Sequence, residues 1–269
     1  MQKNVDFDLE QTLECGQCFR WEKQPDGSYT GVASGRILNI SEETIPQIGQ
    51  NTFWGNYFDL ALDYGKIRAD LSTENATLAQ AAKFAPGMRI LNQEPWEALC
   101  SFILSQNNNI PRIRGIVKRL CEQFGEPIAD GFYTFPTAER LASLQVEELA
   151  DIRCGFRAKY VVDAAQKVAS GEIDLERLKT AELSEARAQL MGIHGVGPKV
   201  ADCALLYGLH RLEAFPMDVW MKRAMHTLFP GKEPAMFGRY AGIAQQYIFH
   251  YSRCNPALFA EEKEAAAVS

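Results

Sequence analysis

From residue 72 onward, apolar side chains return every three to four positions, the period of a helix with one buried face. PWEALCSFILSQ, RIRGIVKRLCEQFG, SLQVEELADI and FRAKYVVDAAQKVA each carry that pattern. Pro95 stands where it can open a helix and Gly125 where it can close one. Further helices are predicted to begin near Leu175, Pro198 and Asp218, and another over roughly Phe237 to Tyr251. The first eighty or so residues read differently. FRWEKQPDGSYTGVASGRILNI places an Asp-Gly turn between a Phe- and a Tyr-containing segment, and residues alternate around Val32 to Ile40 with the period of a strand. NTFWGNYFDLALDYGKIRADL adds Phe53, Trp54, Tyr57, Phe58 and Tyr64, expected to pack a core and a domain junction, with stacking on a base as the alternative. Repeats and low-complexity segments are absent. The pattern implies an α+β chain: a small antiparallel sheet domain over residues 1–85, a larger all-helical region over 86–255, and a tail over 256–269 whose EEKEAAAVS is expected to fray.

At 269 residues and 46% hydrophobic, the chain can bury one large core or two modest ones. No apolar run is long enough to span a bilayer, and the start, MQKNVDFDLE, has no secretory or membrane pattern. Seven cysteines at irregular spacing read as reduced thiols in a cytoplasmic protein. Cys15 and Cys18 form CGQC, but no second CxxC completes a zinc site and no set of four thiolates suits an iron–sulfur cluster. A redox role for that pair is the weakest alternative, since no βαβ pattern surrounds it. The net charge of −6 opposes indiscriminate phosphate binding but allows a local basic face. Arg112, Arg114, Lys118 and Arg119 cluster in one stretch, either as such a face or as a solvated side of a helix.

The densest chemistry lies in LMGIHGVGPKVADCALLYGLHRLEAFPMDVW, residues 190–220. Gly192, Gly195 and Gly197 allow backbone conformations that side chains penalise, so two helices can reverse direction tightly over about residues 185–205. Pro198 suits a first helical turn. Free amides at that helix start can hold a phosphate, and a hairpin of this kind grips a DNA backbone without reading sequence. An ordinary interhelical turn is the bland alternative. Lys199 lies in the first turn, where the helix dipole opposes a second positive charge and favours the neutral amine a nucleophile needs. Asp218 follows Pro216 and can cap the next helix. A capped carboxylate stays ionised, so it can also stabilise positive charge developing on a sugar.

These residues resemble the helix–hairpin–helix, Gly/Pro-rich loop and aspartate motif of the DNA base-excision glycosylases. GVGPKVADC is similar to the 8-oxoguanine DNA glycosylases with lyase activity, including their bacterial members. ECGQCFRW at 14–21, SFILSQNNNIPRIRG at 101–115, GFRAKYV at 155–161 and AGIAQQYIF at 241–249 carry the same likeness, which spans about residues 10–255. It implies a TBP-like N-terminal sheet domain ahead of a helical glycosylase domain. It also implies a monomer that acts on double-stranded DNA containing a damaged purine, needs no metal or other cofactor, and works at the bacterial nucleoid.

The resemblance assigns roles by position. Lys199 attacks deoxyribose C1′ and forms a Schiff base that permits β-elimination, while Asp218 stabilises oxocarbenium character and orients the amine. Cys203 and Phe249 clamp the flipped base, Gln245 bonds its Watson–Crick edge, and the Gly16 carbonyl accepts the N7 hydrogen that 8-oxoguanine has and guanine lacks. Asn107, Arg112 and Arg157 read the opposite cytosine, with Asn107 filling the space the base leaves. Without the resemblance, Cys203 reads as a small buried hydrophobe and the run Asn107 to Asn109 as a helix end or Asx turn. One position departs from the family: eukaryotic members usually carry a phosphate-binding histidine where Trp220 stands, and an indole cannot carry imidazolium charge. Alternatives are a glycosylase for another oxidised or ring-opened base, a monofunctional glycosylase for alkylated bases, against which Lys199 speaks, a pyrimidine-specific member, and a non-catalytic DNA-binding module.

Overall fold

The computed structural model describes residues 6–259. A short helix α1 (Leu9–Leu13), capped by the Asp8 carboxylate, leads into strands β1 (Trp21–Lys23), β2 (Tyr29–Ala33) and β3 (Arg36–Ile40). They form an antiparallel meander with Trp21 opposite Gly31 and Thr30 opposite Asn39. The Asp-Gly turn joins β1 to β2: Asp26 accepts from the amide and hydroxyl of Ser28, and Gly27 takes φ +87°. Ser34 and Gly35 close the second hairpin with φ of +46° and +71°, a two-residue turn that matches strand twist.

This sheet has its own small core of Phe7, Leu13, Tyr29, Ile40 and Phe58 around Trp21, whose indole N–H donates to the Tyr57 hydroxyl at 2.9 Å. Trp54, Tyr57 and Phe58, on and just after α2 (Phe53–Tyr57), surround the same indole as packed rings, and Phe53 packs behind them against Trp54 and Tyr57. The helical part begins earlier than periodicity suggests, with α3 (Tyr64–Glu74) and α4 (Ala76–Phe84). Asp63 caps the first by accepting from Lys66, and Asn75 caps the second by accepting from Thr77 and Leu78. The density of aromatic residues masked the start of α3 in the sequence, whereas α4 falls within the helical periodicity read from residue 72.

Then come α5 (Pro95–Leu104), α6 (Ile110–Phe124), a small hairpin of β4 (Pro127–Ala129) and β5 (Phe132–Tyr133), α7 (Ala138–Ala142), α8 (Ala158–Ala169) and α9 (Leu175–Leu178). The chain continues through α10 (Leu183–Met191), α11 (Pro198–Tyr207), α12 (Val219–Leu228) and α13 (Ala241–Cys254). Pro95 opens α5 and Gly125 closes α6 as predicted. SLQVEELADI gives only a single 3-10 turn, Val146–Leu149, in which Leu149 alone is buried. The last helix starts at Ala241 because Gly238, at φ +59°, breaks the segment before it.

Helix α5 is buried along most of its length and packs against α6, α8 and α11, while α13 packs against α4 and α12. The two parts of the chain are tied at Gln17: its amide nitrogen donates to the carbonyls of Thr12 and Arg89, and its oxygen accepts from the Leu91 amide. The tail set at 256–269 opens with a 3-10 turn as far as Phe259, which is 1% exposed and packs edge-on against Trp220. EEKEAAAVS and the first five residues lie outside the described residues. Among those described, no helix is long and apolar enough to cross a membrane.

Candidate active site

Helices α10 and α11 are joined by residues 192–197, and α8 holds this hairpin from one side. Asp163 accepts from the His194 amide at 2.7 Å, Lys167 donates to the Gly192 carbonyl at 2.6 Å, and Tyr160 packs edge-on against His194. Only Gly195 of the three motif glycines takes a positive φ, +78°, and a β-carbon there would sit 2.6 Å from the Tyr160 ring. Gly192 (φ −68°) and Gly197 (φ −95°) adopt conformations open to any residue, which corrects the expectation for them. Gly197 caps α11 without a side-chain acceptor. Among the described residues, no acceptor takes the amides of Gly195, Gly197 or Lys199, so that end of α11 presents free donors. Arg187 pins α10 to α11 through a 2.7 Å pair with Asp202, whose carboxyl is pushed up by burial and pulled back by that guanidinium.

Lys199 is the second residue of α11 and half-buried. Its Nζ lies 3.4 Å from Ser105 Oγ and 5.4 Å above the Phe102 ring, both on or at the end of α5. Cys203, one turn along α11, is 3% exposed. Burial pushes its thiol up to about 11; Lys199 pulls the other way, and Asp202 and Asp218 add to the rise. Cys203 thus lies within the fields of both Lys199 and Asp218. Asp218 caps α12, its carboxylate accepting from the Met221 amide at 2.7 Å, and stays half-buried. Lys199 and Cys203 thus lie one turn apart on α11, and Asp218 stands at the start of the next helix, α12.

The other base-pocket candidates meet on α13. Gln245 is 4% exposed, and its side-chain oxygen lies 3.5 Å from the Tyr207 hydroxyl at the end of α11. Phe249 sits one turn further along the same face of α13, half-buried, with the Arg253 guanidinium 5.4 Å from its ring. Gly16 takes φ +87° in the loop after α1, and a β-carbon there would press on Ile110 Cδ1 at 3.3 Å. Its neighbour Cys15 is joined to α13 by Gln246, whose amide nitrogen donates to the Cys15 carbonyl at 3.2 Å. Burial raises both CGQC thiols, Cys15 to about 11, which is the opposite of the lowered value a reactive thiolate requires.

The opposite-strand candidates are not alike. Asn107 is exposed and holds φ +47° between α5 and α6. Arg157 is 3% exposed, and its guanidinium donates to the carbonyls of Gln106, Asn107 and Cys154. Burial, with Arg112 nearby, lowers its affinity for a proton from the usual guanidinium value. Arg112 is exposed, while its backbone amide caps onto Asn109 at 3.0 Å. The basic cluster on α6 divides in the same way: Arg114 pairs with Glu14, and Arg119 donates to the Ile152 carbonyl. Trp220 donates its indole N–H to Ser252 at 2.8 Å, so it packs α12 onto α13.

Sequence reading passed over Phe102, Ser105, Tyr207 and Gln246. The pair Gln245–Gln246 inside the apolar run AGIAQQYIF was the available signal, because two adjacent amides buried in one helix need partners from elsewhere.

A free-ended hairpin, a lysine in the turn after it and a capping aspartate on the next helix define a helix–hairpin–helix glycosylase. Comparisons with known proteins agree. Residues 1–99 match the 8-oxoguanine DNA glycosylase N-terminal domain, and residues 100–236 match the HhH-GPD superfamily base excision DNA repair protein family. The N-glycosylase/DNA lyase of Saccharomyces cerevisiae is 43% identical over 249 residues, which cover 80% of this chain and 66% of the yeast protein. A solved structure of MBOgg1 with a low-affinity DNA ligand superposes with a TM-score of 0.83 at 46% identity, covering 92% of each chain. The Clostridium acetobutylicum 8-oxoguanine glycosylase/lyase, solved with double-stranded DNA holding cytosine opposite 8-oxoG, gives a TM-score of 0.82 at 36% identity over 93% of each chain. The chain belongs to the 8-oxoguanine DNA glycosylase/AP lyase family of the HhH-GPD superfamily, bifunctional enzymes that act on duplex DNA.

Proposed function

We propose that this enzyme excises 8-oxoguanine paired with cytosine, with Lys199 as nucleophile and Asp218 as its electrostatic partner. The placement of Lys199 in the first turn of α11 beside free amides, its Nζ 3.4 Å from Ser105 Oγ, with Cys203 one turn along and Asp218 capping α12, carries this reading. In the proposed reaction, the lysine nitrogen bonds to deoxyribose C1′ and the bond from C1′ to the base breaks, the base leaving with that electron pair and taking up a proton. The Asp218 carboxylate offsets positive charge on the sugar. Loss of the amine protons and ring opening give the Schiff base; removal of a C2′ proton then breaks the bond to the 3′ oxygen. None of these steps requires a metal.

Cys203, Phe249, Gln245 and the Gly16 carbonyl form the proposed base pocket. Gly192, Gly195 and Gly197 of the hairpin are the proposed DNA-backbone contact, with the amides of Gly195 and Gly197 as its donors, since the Gly192 amide already donates to the Gln189 carbonyl. Asn107, Arg112 and Arg157 are assigned to the orphaned cytosine, with Asn107 entering the space left by the flipped base. The localisation proposed with this reading is the bacterial cytoplasm, at the nucleoid, where such a substrate lies. The proposed domain division keeps the sheet part at 1–85 and the catalytic part at 86–255.

The test is borohydride trapping on a duplex with one 8-oxoguanine opposite cytosine, in chelator, beside Lys199→Gln. A covalent complex with the wild type and none with the variant is expected. An equally trapped variant would remove Lys199 from the role. Base release without trapping would leave a glycosylase without its lyase half.

A further inference from the structure

Three buried side chains outside the assigned pocket connect its two ends. Phe102 of α5 lies beneath the Lys199 ammonium at 5.4 Å and stacks on Tyr207 with ring centres 5.0 Å apart and planes 20° from parallel. The Tyr207 hydroxyl donates to the side-chain oxygen of Gln246. The other end of that amide donates to the Cys15 carbonyl at 3.2 Å, one peptide before Gly16. Phe19, just beyond CGQC, returns to the same ring, packing edge-on against Phe102 at 5.8 Å. Gln246 is 2% exposed, and Cys15, Phe102 and Tyr207 are buried.

The geometry of this chain of contacts restricts the Cys15–Gly16 peptide. Gly16 holds φ +87°, a conformation with little steric restraint on a glycine, so its carbonyl direction is set by what anchors the neighbouring groups. From one side, Gln17 fixes the loop through Thr12, Arg89 and Leu91. From the pocket side, the anchor is Gln246. Its oxygen is taken by Tyr207 and its nitrogen by the Cys15 carbonyl, so the amide cannot flip without reversing both bonds.

We infer that Tyr207 and Gln246 are positioning residues that aim the Gly16 carbonyl into the base pocket and hold it in register with Lys199 through the Phe102 stack. The inference rests on the proposed role of Gly16 as acceptor for the base. Base recognition depends on these two residues, whereas strand cleavage at a site already lacking its base does not, because that step needs the lysine and the carboxylate but no carbonyl partner.

The experiment compares wild type, Tyr207→Phe and Gln246→Leu in single-turnover excision of 8-oxoguanine opposite cytosine, in cleavage of a preformed abasic site opposite cytosine, and in thermal denaturation. Tyr207→Phe keeps the ring stack and removes only the hydroxyl. An excision rate lower by about 10-fold, with abasic-site cleavage within about twofold of wild type, is the expected result, since the lost hydroxyl serves Gln246 and reaches Gln245 at 3.5 Å, both on the base-recognition side. Gln246→Leu is expected to fall further on excision with the same split. A parallel loss of both activities, tracking the melting temperature, would make the pair ordinary core and overturn the inference. Unchanged excision in both variants would overturn it as well. Wild type that cleaves abasic sites but never releases 8-oxoguanine would instead refute the substrate reading on which the inference rests.

Discussion

The proposed base pocket and the proposed opposite-strand reader are built by opposite means. Around the pocket, Cys203, Gln245, Gln246 and Tyr207 are buried, and the motif lysine reaches their edge from α11. Across the loop between α5 and α6, Arg157 is equally buried, yet it spends its donors on the carbonyls of Gln106, Asn107 and Cys154. Asn107 is held exposed at φ +47°, and Arg112 stands in solvent. The first region is organised before DNA arrives. In the second, the rigid element is a backbone turn braced by an arginine, and the side chains that would meet cytosine are left outside. A guanidinium with three carbonyl partners can turn to a base only by giving some of them up, so Arg157 acts first as the brace of Asn107.

The largest effect is expected from removing that brace. Arg157→Ala leaves buried carbonyls without donors, so it should lower stability by about 2–4 kcal/mol and excision opposite cytosine by about 100-fold. Urea denaturation with single-turnover assays would test this; a variant as stable as wild type that loses only cytosine preference would make Arg157 a reader alone. Gln245→Leu should cost about 10-fold in 8-oxoguanine excision while leaving abasic-site cleavage near wild type, as expected of an amide that pairs with the base. Equal losses on both substrates would place Gln245 with the catalytic end. Arg112→Ala, in solvent and away from the core, should leave melting unchanged and relax cytosine preference by about fivefold, read as the ratio of excision opposite cytosine and opposite adenine. An unaltered ratio would remove Arg112 from the reader.

How far this contrast could be read in the sequence follows from the same physics. Helix starts are local: Pro95, Leu175, Pro198 and Asp218 each mark one, and each stands at the start of a helix in the structure. The motif of Lys199 and Asp218 was legible because a hairpin and two caps are fixed by neighbours in the chain. The aromatic run 53–64 concealed helices, since ring content outweighed their spacing. What could not be read was partnership at a distance. Nothing near Gln246 in sequence points to Cys15, 231 residues away, and nothing near Arg157 points to the Gln106 carbonyl. Exposure was equally hidden: Arg112 and Arg157 look alike as letters, and only packing separates a solvated guanidinium from a buried one.

A stability effect, with no assay of excision, probes how closed the pocket is. The Cys203 thiol is raised from its ordinary value near 9 to about 11, first by burial, with Lys199 opposing and the two aspartates reinforcing. In the unfolded chain the thiol ionises near pH 9, whereas in the fold it stays protonated until about 11. The folded state therefore holds a proton that the unfolded state has lost, and its stability declines as pH rises from 9 through about 11, by about 2–3 kcal/mol from this group. Cys203→Ala should lack this share of the alkaline loss, so wild type and variant should converge in denaturation midpoint between pH 8 and pH 11. Parallel curves would mean that water reaches the thiol, and the pocket would then be as open as the reader across the loop. Thiol labelling probes the same closure independently: at pH 8 exposed Cys254 should react with a disulfide reagent well before Cys203. A pocket thiol that reacted as fast as Cys254 would erase the difference between the two regions, because the pocket could then be no drier than the solvent-facing loop.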